Sequence, residues 1–293
     1  MGTATGSLHD TGEFRRHGLL ATGLYLVTIM AVGGAMWGFI WSHGAQRPQV
    51  TLPDTGSRWA DDTPVIAGTG AALPLLHHLT RSWRQAGGQT IQVAPSIGSG
   101  GGLAALRDGV IDCAIVSRPL TAEERAGRVV QQLAMAPIVL AAGSNVPMEK
   151  ITPRDLVQLV RPAATSDSSS AGFVLREPGD SGQQLLAEAL PDLAAALADA
   201  TAHESRPMAF TDADMERRLL ARSNLIGVFD LGTIRLRSLP LQVLPIEGLS
   251  TELVRPFTLV CHAEHRLDGF LHYLNTTPVR EALLSFGYQL GEN

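Results

Sequence analysis

The run from Ser96 to Leu103 (SIGSGGGL) packs hydroxyls and side-chain-free residues into one short loop. It follows a strand-like segment, Thr90 to Ala94, and leads into a helix-like one, Leu103 to Asp108. A helix start leaves backbone N–H groups unpaired and carries the positive end of the macrodipole. Glycines let a charged oxygen come close to those N–H groups, and Ser99 adds a hydroxyl donor. That chemistry suits capture of a small anion. A serine-glycine loop before a helix is also ordinary turn chemistry, so the run decides little alone. Two relatives of the loop change this. Upstream, Pro64 to Ala67 reads as a buried strand, and Gly68-Thr69-Gly70-Ala71-Ala72-Leu73-Pro74 leads into an amphipathic stretch ending near Gln85. Downstream, Gly172 to Arg176 runs into Glu177-Pro178-Gly179-Asp180-Ser181-Gly182-Gln183-Gln184. Three loops aiming N–H donors at one point make an anion site that needs few side-chain charges.

Strand and helix patterns must alternate to bring such loops together, and from Thr63 to Leu120 they do. That order predicts a parallel sheet with helices on its faces. Leu133 to Ala142 reads as a long apolar strand, and Thr152-Pro153 opens a helix with a cap and a first-turn proline. Asp180 is placed to cap the helix that follows it. The order Gly179-Asp180-Ser181-Gly182 also occurs around the active serine of chymotrypsin-like proteases. Those need an all-β double barrel, which the alternation here contradicts, so no enzyme is expected.

Composition sets the wider bounds. Hydrophobic residues make up 45% and charged residues 17% of the 293 residues, enough for a substantial core. The net charge of −5 gives no sign of a nucleic-acid partner. Lys150 is the sole lysine, so the many arginines reflect composition and are not by themselves oxyanion ligands. Leu19 to Trp41 is uncharged and, at about 1.5 Å per residue, reaches about 34 Å, enough to span a bilayer. Arg15 and Arg16 precede it, and the segment exceeds the ~7–15 residues of a signal-peptide core. It reads as an uncleaved anchor: residues 1–18 a cytoplasmic tail, 19–41 a single transmembrane helix, 42–62 a tether, and the soluble part on the periplasmic or extracellular side. Cys113 and Cys261 lie in apolar strand-like segments and read as buried free thiols. An oxidising compartment would permit a disulfide if the strands were neighbours. His77-His78 and His262 with His265 lack the company of a metal site, and neither a metal nor a cofactor is expected.

The chain resembles the substrate-binding proteins of ABC phosphate importers, within the type II periplasmic-binding-protein group. The resemblance is carried by Ala67 to Pro74, Ile97 to Asp112, Ser117 to Leu120 and Arg176 to Gly182. Leu225 to Gly232, Arg255 to Val260 and Phe270 to Leu274 support it. It covers residues 63 to 288, and the Ile-Gly-Ser-Gly-Gly-Gly segment is its most specific part. It implies an α/β, two-lobed fold with an anion cleft between lobes, here preceded by the anchor. Lobe 1 would combine 63–143 with 245–293, and lobe 2 would be 144–244.

The resemblance further implies reversible binding of a small oxyanion, phosphate first, with no chemistry. Thr69, Gly70, Ala71, Ser99 and Gly100 would line one wall. Ser117 and Arg118 would lie at the edge, and Arg176, Ser181, Gly182 and Gln183 on the opposing lobe. Arg176 would bear the charge-bearing contact, since a guanidinium matches two oxygens at once. The chain departs from the family in two places. Ala72 stands where the family has a threonine, and Ser117 where it has an aspartate that accepts the proton of hydrogen phosphate. Serine can serve protonated and ionised oxyanions alike. Two partners follow: an ABC permease, if the module imports, or a membrane signalling or envelope partner, if it senses or only interacts.

Overall fold

A computed structural model describes residues 63–161, 171–202, 206–249 and 251–291. The tail, anchor and tether of residues 1–62 lie outside the described residues. Among the described residues no helix is long and apolar enough to cross a membrane.

The first half of the sheet grows from the segments read above as strands. β1 (Val65–Gly68) pairs in parallel with β2 (Gln92–Val93) and β3 (Cys113–Val116). Antiparallel β9 (Val254–His262) then joins β3 to the long β4 (Arg128–Ala142). Every residue of β1 and β3 is buried, as expected where helices cover both faces of a parallel sheet. Ile66 and Ile115 face α1 (Leu73–Gln85), α9 (Asp268–Leu274) and α10 (Thr277–Ser285), which bring Leu75, Leu79, Phe270 and Leu283. Val65, Ala67, Ala114 and Val116 point the other way, against Ala105 and Leu106 of α2 (Gly98–Arg107). This is the two-residue alternation of a strand buried on both sides.

The second half continues through β4. Its end, Ile138–Ala142, pairs with β7 (Leu225–Asp230) on one side, and Leu140–Ala142 with β8 (Gln242–Leu244) on the other. β5 (Gly172–Arg176) lies parallel to β7 and to the short β6 (Met208–Ala209). The hydrogen-bonded path is therefore continuous, because one strand belongs to both halves. α4 (Pro153–Val160), α5 (Ser181–Ala189) and α6 (Pro191–Ala202) bury Leu156, Leu186 and Leu193 against Phe173, Leu175 and Ile226. α7 (Asp212–Ala221) and α8 (Leu231–Leu236) cover the opposite face through Met215, Leu219 and Ile234. A single-turn α3 (Ala122–Arg125) precedes β4 and carries a capping box between Thr121 and Glu124.

Three sequence expectations change here. The glycine run was read as a loop before a helix opening at Leu103, yet α2 begins at Gly98. The cause is close packing. A Cβ on Gly102 would lie 2.9 Å from Gly68 Cα and 3.1 Å from Ala67 O, so only glycine lets α2 start against the end of β1. The strand expected at Leu133 begins at Arg128, its first residues being half-exposed and without an apolar run. The cysteines are not free thiols. β3 and β9 are antiparallel neighbours, Cys113 sits opposite Cys261 with Cα atoms 4.0 Å apart, and the two form a disulfide. A separation of 148 residues hid this pairing, which depends on sheet order alone.

Candidate functional site

Gly68 ends β1 at φ +149°, where a Cβ would lie 2.0 Å from Ile115 O. That close approach lets Thr69 N–H donate to Ile115 O at 2.9 Å and turns the buried Thr69 hydroxyl toward the end of β3. There it meets Ser117 Oγ at 3.0 Å. Ser99, in the first turn of α2, accepts the Ser117 N–H at 3.1 Å and lies 3.4 Å from Ser117 Oγ. Ser181, the first residue of α5, comes from the other half of the sheet to 3.3 Å from the same oxygen. Four hydroxyls on four elements thus meet around Ser117.

They border a cavity of about 220 Å³. Its wall is built from element starts: Thr69-Gly70 before α1, Gly98 to Gly100 of α2, Ser181 of α5, and Thr211-Asp212 of α7. Three such starts were expected; the fourth, at α7, was not. The starts are not equivalent. Asp180 Oδ1 accepts the Gln183 N–H at 2.8 Å and Thr211 Oγ1 accepts that of Asp214 at 3.0 Å, so α5 and α7 are capped by their own side chains. The starts of α2 and of the Gly70–Ala72 turn have no side-chain cap. Each cap occupies one of the unpaired N–H groups of its helix start, so the starts of α2 and of the turn, in the first half of the sheet, keep the most N–H groups for an anion.

The charges are arranged differently from the expectation. Arg176 reaches the cavity wall, but its guanidinium is already held. Nε lies 3.1 Å from Glu177 Oε2, Nη2 3.2 Å from Asp180 Oδ2, and Nη1 3.1 Å from Asp212 Oδ1. Burial disfavours its charged form, but Asp212 and Asp180 outweigh that and raise its pKa above the ordinary arginine value. A second buried guanidinium, Arg255 at the start of β9, donates from Nη1 to Ser181 Oγ at 3.1 Å. It stands 4.0 Å from Asp180 and 3.8 Å from Asp212, with its carbon 5.6 Å from the centre of the Phe257 ring. Three carboxylates therefore outnumber the two guanidiniums by one charge, so this cluster leaves no cation over for an incoming anion, which would be held by hydroxyl and backbone dipoles.

Eight of the eleven sequence-chosen residues line the cavity: Thr69, Gly70, Ser99, Gly100, Ser117, Arg118, Arg176 and Ser181. Arg118 spends its outer nitrogens on Glu124, at 2.9 and 2.7 Å, and this ion pair pulls the Glu124 pKa down to about 2. Ala71, Gly182 and Gln183 do not line it. Ala71 is turned into the core by the short 3-10 turn. Gly182 is buried between Val228, Asp180 and Arg255. Gln183 turns back, its Oε1 accepting the Arg176 N–H at 2.9 Å. Because α5 opens at Ser181, the residue three positions on, Gln184, shares its face and lines the cavity instead. Ser96, Asp212 and Arg255 were missed. Thr211-Asp212-Ala213-Asp214 before an amphipathic run was the available signal for α7, a further strand, cap and helix.

This fold is that of the PBP superfamily, and the chain belongs to it: the profile of the PBP superfamily domain matches residues 54–271. Among solved structures it is similar to a putative phosphate ABC transporter substrate-binding protein with bound phosphate from Clostridium perfringens, at 17% identity and TM-score 0.63, covering 79% of this chain and 100% of that one. It is also similar to an ABC-type phosphate transport receptor from Vibrio cholerae, at 17% identity and TM-score 0.52, covering 78% and 100%. A reduced form of OxyR from N. meningitidis matches at 15% identity and TM-score 0.55, covering 78% and 99%. At such identities the likeness is one of fold. No curated protein matches the chain.

Proposed function

We propose that this chain reversibly binds a small oxyanion, phosphate first, and performs no chemistry on it. The observation that carries this reading is the meeting of Thr69, Ser99, Ser117 and Ser181 hydroxyls, beside uncapped helix starts, around one small cavity. At roughly 30 Å³ per water the space holds about seven waters. That suits a tetrahedral oxyanion with a few waters and falls below the ~300 Å³ at which organic-ligand pockets begin. The bound phosphate of the Clostridium perfringens protein, which has the same fold, supports the choice.

In this reading the module is the membrane-tethered solute-binding component of an ABC-type importer. Residues 63–143 with 245–293 form one lobe and 144–244 the other, so that β4 and the chain returning to β9 are the crossings about which the cleft opens. Leu19 to Trp41 anchors the module, with residues 1–18 cytoplasmic and 42–62 the tether. Tethering raises effective concentration beside a permease. A second reading, an anion-sensing or interaction module without transport, is favoured by Arg176, whose guanidinium is already held by three carboxylates.

Titration of the purified full chain with phosphate, sulfate, molybdate and tungstate tests the binding claim, and heat of binding for none of them would defeat it. Deleting the chain and growing cells in limiting phosphate separates the two readings. Import predicts reduced uptake. Unchanged uptake with an altered response in a signalling partner would favour sensing.

A further inference from the structure

The small cavity has a larger neighbour that the oxyanion reading leaves unused. A cleft of about 720 Å³ lies between α1, α7 and α8 and shares Gly70, Ser96, Thr211 and Asp212 with the oxyanion cavity. At this boundary Gly70 lies against Ser96 and Asp212: a Cβ on it would lie 3.0 Å from Ser96 Oγ and 3.1 Å from Asp212 Oδ2, so the three residues form a close-packed rim between the two spaces.

The two spaces offer different chemistry. The small one is lined by hydroxyls and closed ion pairs and accommodates little beyond an oxyanion. The large one falls within the ~300–1,000 Å³ of organic-ligand pockets. Leu73, Pro74, Phe229 and Leu236 give it apolar walls. His77 and His78 add hydrogen-bonding groups, and burial together with the Arg81 charge lowers both pKa values, which favours the neutral rings at pH 7. Glu216 and Arg237 neutralise one another at 2.5 Å. Such a cleft suits an uncharged organic group with an apolar face and a few polar atoms.

We propose that the preferred ligand is an organic phosphate: a phosphomonoester whose phosphoryl head occupies the small cavity while its uncharged organic group crosses the shared rim of Gly70, Ser96, Thr211 and Asp212 into the cleft. This rests on the oxyanion reading and narrows it. Inorganic phosphate would use only the head site and bind more weakly.

The test titrates the full chain with inorganic phosphate, phenyl phosphate and adenosine 5′-monophosphate, then repeats the titrations with Ala213→Trp. Ala213 is exposed on α7 and lines the large cleft alone, so the indole fills that space without disturbing the hydroxyls or ion pairs. His77→Trp, from the opposite wall, serves as a second filler should the first unfold the protein. The expected result is that at least one ester binds tenfold or more tightly than inorganic phosphate. Either filler should weaken that ester tenfold or more while inorganic phosphate stays within twofold. Esters binding no tighter than inorganic phosphate, or tighter but indifferent to both fillers, would overturn the proposal and leave the oxyanion reading standing. Failure of all three ligands to bind would overturn this proposal together with phosphate as the oxyanion.

Discussion

Replacing Arg255 by methionine removes one of the two guanidiniums from the buried cluster while keeping most of the side chain's length. The Arg255 side chain is 4% exposed and its guanidinium joins β9 to Ser181 of α5. A hydrogen bond to a charged group contributes about 1.5–3 kcal/mol. The carboxylates of Asp180 and Asp212, at 4.0 and 3.8 Å, each add a gross attraction of about 4 kcal/mol at an effective dielectric of 20, much of it offset by desolvation of the guanidinium. Removing one partner of a buried charge pair costs about 3–5 kcal/mol. Methionine recovers some of this by packing on Phe257, so about 3 kcal/mol is expected. At about 2–4 °C per kcal/mol for a folded region of this size, Tm should fall by about 6–12 °C. Ser181 loses the donor that aims it at Ser117, and phosphate affinity should fall about tenfold, equivalent to ~1.4 kcal/mol. Arg255→Lys should keep more than half of the stability. Calorimetric melting of both variants, with phosphate titrations beside it, reads these quantities. A methionine variant within 1 °C of wild type, with phosphate affinity within twofold, would refute this account of the cluster.

Two further predictions concern stability. Closing a loop over 148 residues stabilises the fold by about 5 kcal/mol on chain-entropy grounds, so a reductant should lower the Tm of wild type but leave the Cys113→Ala/Cys261→Ala double variant unchanged. A wild-type Tm indifferent to reductant would contradict the bond. Asp230 is buried, accepts from Thr233 N–H at 2.7 Å and from Tyr288 Oη at 3.1 Å, and burial raises its pKa despite the opposing Arg255 charge. A carboxyl whose folded pKa exceeds its unfolded value binds its proton more readily in the folded state. Its contribution to stability should therefore grow as pH falls from the raised folded value toward the unfolded ~3.9. Asp230→Asn should lose that slope while keeping the cap of α8, and Asp230→Ala should lose the cap and about 1–2 kcal/mol with it; parallel pH-dependent melting curves for wild type and Asp230→Asn would contradict the assignment.

Strand and helix alternation made the α/β class readable, and three of the four element starts around the cavity were visible as strand, small-polar loop and helix. Thr69, Ser99 and Ser181 were legible because hydroxyls beside glycine at a helix start have one evident use. Arg255 was not, because its place depends on which strand lies beside which, whereas Asp212 sits behind the Thr211 cap of a fourth strand and helix that lacks the glycines marking the other three. The disulfide was hidden for the same reason. Gln183 and Gln184 show a finer limit: helical phase decides which one faces the cavity, and that phase turns on the one-residue choice of where α5 begins. Arg176 was found, but its neighbours Glu177, Asp180 and Asp212 hold its charge in a way that residue type alone does not disclose.

The central claim is that four hydroxyls from both halves of the sheet surround an oxyanion. A crystal structure of the chain grown with phosphate tests it most directly. One tetrahedral ligand is expected in the 220 Å³ cavity, within hydrogen-bond distance of the Thr69, Ser99, Ser117 and Ser181 hydroxyls and of N–H groups at the start of α2. Phosphate bound elsewhere on the chain, with this cavity holding only water and the hydroxyls still bonded to one another, would contradict it.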